Sequence, residues 1–290
     1  MSTPEPASVP TVPHNKHEAP KKRSNLILSV VAVLMVLIPF LFWKGTWFGR
    51  PLQDEELAEY LSDRHNPRHV QHALTQIATR IERKDPAVAD WYPQVLALVE
   101  SPVTELRIAL AWMLGSDNGS EAFREALLQL LDDPEMLVQR NAALSLVRFG
   151  DDSGHEEIVQ MLRPYTLLAP VAGTFRSRVK QGDTVEGGTV IGRVERGPKD
   201  LVNVKTPIPG TLEQLLVQEG HPVSKNALLA RLAPGEQHVW EALRALLLIG
   251  RLEDLPLIQR VTRNGNLPQG IRHQAILTAD QIRQSHPERD

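Results

Sequence analysis

The sequence contains no cysteine. This absence excludes disulfides, thiolate metal sites, iron–sulfur clusters and cysteine nucleophiles. The chain also lacks a large excess of one charge, since 32 basic and 35 acidic residues give a formal net charge of -3. Such a charge provides no electrostatic footprint for nucleic acid, and we expect no nucleic-acid partner. The motifs Gly-x-Ser-x-Gly and His-Glu-x-x-His are missing as well, so the sequence has no signature of a serine hydrolase or a zinc peptidase.

Apolar residues make up 42% and charged residues 23% of the 290 residues, as in ordinary soluble globular proteins. This length is sufficient for two domains or one long repeat array. Residues 1–25 differ, because they contain five prolines and almost no large apolar side chains. We predict that they form a disordered cytoplasmic tail.

The tail is followed by an uncharged run from Leu26 to Trp43 in which Ser29 is the only polar residue. A helix of this length reaches about 27 Å, close to the hydrocarbon thickness of about 30 Å. Trp43 and Trp47 supply an aromatic belt at its far end. We therefore predict a transmembrane signal anchor over residues 26–48.

Positive charge around this run predicts its orientation. More basic residues precede the run than follow it, namely Lys16, Lys21, Lys22 and Arg23 before it and Lys44 and Arg50 after it. The positive-inside rule then predicts a single-pass protein of the bacterial inner membrane, with a cytoplasmic N-terminus and the bulk of the chain in the periplasm. The rival interpretation, a cleavable secretory signal, lacks a small-x-small cleavage site.

Helical spacing dominates residues 54–163. Apolar side chains recur at i, i+3, i+4, i+7 and i+8, as in Leu106, Ala109, Leu110, Met113 and Leu114. Similar helices begin near Val70, Leu106 and Val138, at intervals of 36 and 32 residues. A period of this size made of two short helices predicts a solenoid.

Residues 127–152 read LLQLLDDPEMLVQRNAALSLVRFGDD, which resembles a HEAT repeat of the bacterial phycobilisome-lyase type. In this comparison Asp132-Asp133-Pro134 ends the first helix and caps the second, and Gly150 is the C′ glycine. The resemblance implies an extended surface for protein contact. An enzyme acting like those lyases remains a third hypothesis, which rests on fold analogy.

Residues 166–234 have a different character, with valine, glycine and threonine in short alternating runs that predict strands. This segment repeats internally, because Pro170, Gly173 and Thr174 recur as Pro207, Gly210 and Thr211. Two such half-units can close on one another about a pseudo-two-fold axis and cover their edges.

The two half-units read APVAGTFRSRVKQGDTVEGGTVIGRVE and TPIPGTLEQLLVQEGHPVSKNALLARLA. They resemble the halves of a biotinyl/lipoyl-like domain, also called a barrel-sandwich hybrid, and are distantly similar to the sandwich of periplasmic membrane-fusion adaptors. Helical spacing returns over 236–286. We interpret the helices Glu156 to Arg163 and Val239 to Leu248 as two halves of one repeat. The predicted fold class is thus multidomain α and β: a single transmembrane helix and an α-α HEAT-like solenoid with an inserted all-β barrel-sandwich hybrid domain.

Lys199 and three histidines are the candidate site residues. The resemblance implies that biotin or lipoate is attached to Lys199, at the hairpin joining the half-units; a solvated turn lysine is the alternative. His65, His69 and His72 have helical spacing for a metal. Asn66-Pro67 starts the helix and leaves His65 outside it, so only His69 and His72 remain as weak metal candidates.

The acidic pairs Asp132-Asp133, Asp151-Asp152 and Glu156-Glu157 lie at predicted helix boundaries, where capping explains them better than acid–base catalysis. The arginines of the second helices either pair with these acids or line a groove; they are Arg107, Arg140, Arg148 and Arg244.

These features predict a membrane-anchored extracytoplasmic scaffold or adaptor, non-catalytic and without a cofactor. Its partners would be proteins of an inner-membrane complex, of an efflux or secretion type or a respiratory assembly. The alternative function is a prosthetic-group carrier that uses Lys199. The sequence does not assign the binding residues.

Overall fold

The structure is a computed structural model that describes residue 31 and residues 33–37, 51–197 and 199–286. Two compact units are present, Met1–Pro51 and Leu52–Asp290. In the first unit, residues 31 and 33–37 are helical.

The prediction of a single transmembrane helix needs correction. None of the helices in the described ranges is both long and apolar enough to cross a membrane. Apart from residues 31 and 33–37, the predicted anchor 26–48 and the tail 1–25 lie outside the described residues. The fold class with a membrane span, the signal anchor and the inner-membrane localisation are therefore not retained.

The second unit is built from consecutive helix pairs with a β unit set into the fourth pair. The helices, in chain order, are α1 (Asp54–Ser62), α2 (Pro67–Glu82), a 3-10 turn (Pro86–Trp91) continuing into α3 (Tyr92–Leu96), α4 (Thr104–Leu114), α5 (Glu121–Leu130), α6 (Met136–Arg148), α7 (His155–Gln160), α8 (Glu236–Ile249), a 3-10 turn (Leu252–Asp254) before α9 (Leu255–Arg263), and α10 (Gln269–Ser285). The even-numbered members, here called the second helices, pack in a row, each against the next.

Local sequence signals place the ends of these helices. Pro67 opens α2, where its missing N–H costs no hydrogen bond. The Ser120 hydroxyl accepts a hydrogen bond from the Phe123 N–H and caps α5. At the end of α6, Gly150 has a φ of 71°. The backbone N–H of Asp151 then donates to the Leu146 carbonyl, which closes the helix as in a Schellman motif.

Two apolar clusters run through the helical array. The first joins α1 to α6 and contains the fully buried Phe123, Leu110 and Leu146. The second joins α6 and α7 to α8, α9 and α10, with Ile158 and Leu243 both fully buried. The helical core therefore continues across the β unit.

Close contacts between second helices are made by small side chains. The Ser145 hydroxyl donates to the Ala111 carbonyl at 2.7 Å, and the Thr278 hydroxyl donates to the Leu243 carbonyl at 2.9 Å. A Cβ added to Gly115 would lie 2.6 Å from the Ser145 hydroxyl oxygen. Glycine at position 115 thus allows α4 and α6 to approach closely.

The β unit consists of two four-stranded antiparallel sheets with the orders β1-β8-β6-β3 and β5-β4-β2-β7. Its strands are β1 (Tyr165–Leu168), β2 (Gly173–Ser177), β3 (Thr184–Val185), β4 (Val190–Gly197), β5 (Asp200–Lys205), β6 (Gly210–Leu215), β7 (Pro222–Val223) and β8 (Leu228–Pro234). Each strand of the first half-unit (β1 to β4) corresponds to the strand four places later in the second half-unit (β5 to β8). Exchanging corresponding strands converts the order of one sheet into that of the other. Each half-unit thus contributes strands to both sheets, which enclose a core that includes Phe175, Ile191 and Leu232.

The β unit starts and ends at neighbouring points. β1 pairs with β8, with Tyr165 opposite Leu232. The helices on either side of it, α7 and α8, pack against each other. The His155 Nε2 atom lies 2.8 Å from the Asp254 Oδ2 atom, and both side chains are buried. The helices before and after the β unit are therefore in direct contact with each other.

Candidate interaction surface

The outward stripes of the second helices form a surface with large exposed apolar side chains. On α4, Leu110 and Leu114 are fully buried, whereas Trp112 is 47% exposed. The Asn141 amide donates to the Ile108 carbonyl at 3.1 Å. Ile108 and Trp112 are one turn apart, so the outward stripe of α6 runs beside Trp112.

The same stripe continues on α8, where Trp240, Arg244 and Leu248 follow at intervals of one turn. Leu248 is 70% exposed and Trp240 is 37% exposed. Together these side chains define what we call the second-helix face: Trp112, Leu144, Arg148, Trp240, Arg244 and Leu248. The sequence shows helical spacing at these positions. The buried stripe of each helix contains more apolar residues than the exposed stripe, so the hydropathy pattern alone identifies only the buried one.

The four arginines of the second helices divide into two roles. Arg107 and Arg140 form ion pairs with Asp133 and Glu157. Arg148 donates to the Gly115 carbonyl at 3.2 Å. Among the described residues, Arg148 and Arg244 make no ion pair with an acid, so both guanidinium groups can contact a partner.

Three carboxylates of the predicted acidic pairs hold turns between helices, those of Asp133, Asp151 and Asp152. Asp133 accepts two hydrogen bonds from the Arg107 guanidinium, at 2.6 and 3.1 Å, and one from the Glu135 N–H at 2.8 Å. Asp151 lies 2.8 Å from Arg124, and Asp152 lies 2.9 Å from Arg251. Asp133, Asp151 and Asp152 are thus each paired with an arginine of another helix or turn.

Arg140 is the exception to this well-paired pattern. Its side chain is only 3% exposed, and its Nε atom lies 3.2 Å from Glu157. Its Nη1 atom has no hydrogen-bond partner among the described residues. Burial lowers the pKa of Arg140, and burial raises the pKa of Glu157. Burial and the charge of Arg140 also lower the pKa of His238, which lies at the start of α8.

The connectivity explains this difference between the two arginines. Arg107 is bound by Asp133, which lies in the loop that joins the two helices of the following pair. In the pair that follows Arg140, the β unit replaces this loop. Among the described residues, Arg140 therefore has no equivalent aspartate, and Glu157 of α7 is the one acid that forms an ion pair with it.

Lys199 is exposed at the turn between β4 and β5, where Gly197 pairs with Asp200. The histidines have other surroundings. His69 Nδ1 lies 2.6 Å from Asp63 Oδ2, a contact that lowers the pKa of the Asp63 carboxyl, and the His69 ring stacks on Tyr60. His72 is buried, and His65 is exposed in the turn before α2. Within the described ranges, no group of three His, Cys, Asp or Glu side chains could hold a metal ion.

Comparison with known families identifies part of this array. The model of the HEAT repeat family matches residues 92–168, which extend from α3 to β1. This segment is therefore HEAT-like, as the sequence predicts. HEAT repeats present extended surfaces for protein contact, so the match supports a protein–protein interaction scaffold. No curated protein matches the chain.

Proposed function

We propose that the chain is a non-catalytic scaffold that binds a protein partner through the second-helix face. The exposure of Trp112, Trp240 and Leu248 beside Arg148 and Arg244 is the observation that supports this function. Clustered exposed apolar side chains mark interaction sites, and tryptophan and arginine are enriched among the residues that dominate binding energy.

The packing beneath this face favours binding as well. The Ser145 and Thr278 hydroxyls bond the carbonyls of neighbouring second helices. The face is therefore ordered before the partner arrives, which reduces the entropy lost on association.

Site-specific photo-crosslinking in the organism that encodes the protein tests this proposal. We would place a photoreactive amino acid at Trp112 or Leu248, and at Glu125 of α5 as the control, because Glu125 is exposed on a first helix. We expect the same crosslinked protein from positions 112 and 248 and none from position 125. In the chain with the crosslinker at 112, Leu248→Asp should remove the crosslink without changing the circular dichroism spectrum. Equal crosslinking from all three positions, or none from a folded chain, contradicts the proposal.

A second candidate function is that of a carrier with a prosthetic group on Lys199. The exposure of Lys199 at a hairpin turn between two strands favours it, since an attaching enzyme needs such access. Intact mass spectrometry of the native protein and of Lys199→Arg distinguishes the two functions. A mass increase of one biotinyl or lipoyl group that disappears in the variant supports the carrier, and an unmodified native mass rejects it.

A further inference from the structure

A small cavity lies where the β unit meets the C-terminal helices. Its volume is about 220 Å³. Its walls are mainly apolar side chains of the helical array: Leu162, Val239, Leu257, Val261 and Leu267. The β unit supplies the remaining wall through Glu213, Ala233 and Pro234.

A basic residue of α9, Arg260, lines this cavity. Leu257, Arg260 and Val261 all line it, and their spacing of i, i+3 and i+4 places them on one stripe of the helix; Asn264, directly after the helix, lines it as well. Arg260 is exposed and makes no ion pair or side-chain hydrogen bond with another described residue. Its charge is therefore available at an apolar cavity.

An acidic residue of β6, Glu213, lines the same cavity. The register between β6 and β8 shifts between Leu212 and Gln214, so Glu213 is the extra residue of a β-bulge. Such bulges redirect a side chain and are frequent beside functional sites. Glu213 is exposed, and its carboxylate also has no partner among the described residues.

Arg260 and Glu213 carry opposite charges, line the same apolar cavity and do not pair with each other. These properties indicate what kind of ligand the cavity can bind. A zwitterion with an apolar side chain satisfies both, with its carboxylate at Arg260 and its ammonium at Glu213. The volume is larger than the roughly 150 Å³ apolar cavity that accepts benzene, and smaller than the roughly 300 Å³ at which sites for drug-sized ligands begin. A chain terminus of a peptide carries only one of the two charges.

We propose that this cavity binds a free α-amino acid with an aliphatic or aromatic side chain. The apolar side chain occupies the space between Leu257 and Val261, and the two charged groups meet Arg260 and Glu213. This site is separate from the second-helix face and does not depend on the scaffold function.

Isothermal titration calorimetry of the full chain tests the site with L-leucine and L-phenylalanine. Three comparators each lack one feature: 4-methylpentanoate has no ammonium, 3-methylbutylamine has no carboxylate, and glycine has no apolar side chain. We expect saturable binding of leucine or phenylalanine, and affinities at least about tenfold weaker for all three comparators, as when one charge-assisted hydrogen bond or the apolar contact is lost.

Matched variants locate the binding. Arg260→Gln and Glu213→Gln should each weaken leucine binding roughly tenfold. Arg263→Gln on the same helix and Glu219→Gln in the same β unit should not, since neither residue lines the cavity. Val261→Trp should fill the cavity and abolish binding, with the folded state checked by circular dichroism. Absence of saturable binding by both amino acids, equal affinity for a comparator, or wild-type affinity in Arg260→Gln and Glu213→Gln overturns the site. Crosslinking from Trp112 would remain unaffected in any of these cases.

Discussion

The clearest energetic prediction concerns two arginines at comparable positions, Arg107 and Arg140. We consider the replacement of each by methionine, which keeps an unbranched apolar stem but removes the charge. Arg107 makes two hydrogen bonds to Asp133, whose side chain is 5% exposed. Arg140 makes one hydrogen bond to Glu157, whose side chain is 22% exposed.

Arg107→Met leaves the Asp133 carboxylate buried without its cation, which typically costs about 3–5 kcal/mol. Arg140→Met loses one charged hydrogen bond, worth about 1.5–3 kcal/mol, but removes a buried donor without a partner, which costs about 1–3 kcal/mol. Water can also reach Glu157. The two terms nearly cancel, and we expect Arg140→Met to change the free energy of unfolding by no more than about 1 kcal/mol.

Urea unfolding followed by circular dichroism measures both variants. At a slope of about 3 kcal/mol/M, Arg107→Met should lower the urea midpoint by about 1–1.7 M, and Arg140→Met should shift it by about 0.3 M at most. Equal losses in the two variants would refute the reasoning, because they would mean that Arg140 is as well satisfied as Arg107.

Three further predictions concern single features. Burial lowers the pKa of His238, whereas an unfolded histidine titrates at about pH 6.5. The unfolded state therefore binds more protons below that pH, and the free energy of unfolding should fall as the pH decreases. This fall should be less steep in His238→Gln. Ser145→Ala leaves the Ala111 carbonyl without its donor and should lower the free energy of unfolding by about 1–2 kcal/mol, whereas no change in the urea midpoint would contradict this contact. Replacement of residues 165–234 by a short glycine–serine linker should leave a helical array that unfolds cooperatively; loss of the helical circular dichroism signal would show that the array needs the β unit.

Sequence patterns predict those parts of the fold that depend on neighbouring residues. The spacing around Leu106 identifies α4, and Pro67 and Gly150 mark where helices begin and end. The repetition of Gly173 as Gly210 corresponds to two half-units whose strands exchange sheets, since both glycines open a strand of the β unit. Each of these signals depends on residues within one helix or one hairpin.

Contacts between distant elements are not visible in the same way. Both Arg107 and Arg140 are predicted to pair or to line a groove, but only the structure shows that Asp133 binds Arg107 fully while Arg140 keeps an unpaired donor. Glu213 is part of an ordinary strand pattern, and its role depends on a bulge against β8. The membrane span predicted for residues 26–48 was wrong, since none of the helices in the described part of the chain is long and apolar enough to cross a membrane.

The pairing of β1 with β8 places both ends of the β unit side by side, so this unit is an insertion into the helical array. In such an architecture, gene duplication can lengthen the helical array by whole helix pairs without displacing the β unit. Recombination can equally exchange the β unit and keep the helical array. The two parts can therefore diversify on separate evolutionary schedules within one polypeptide.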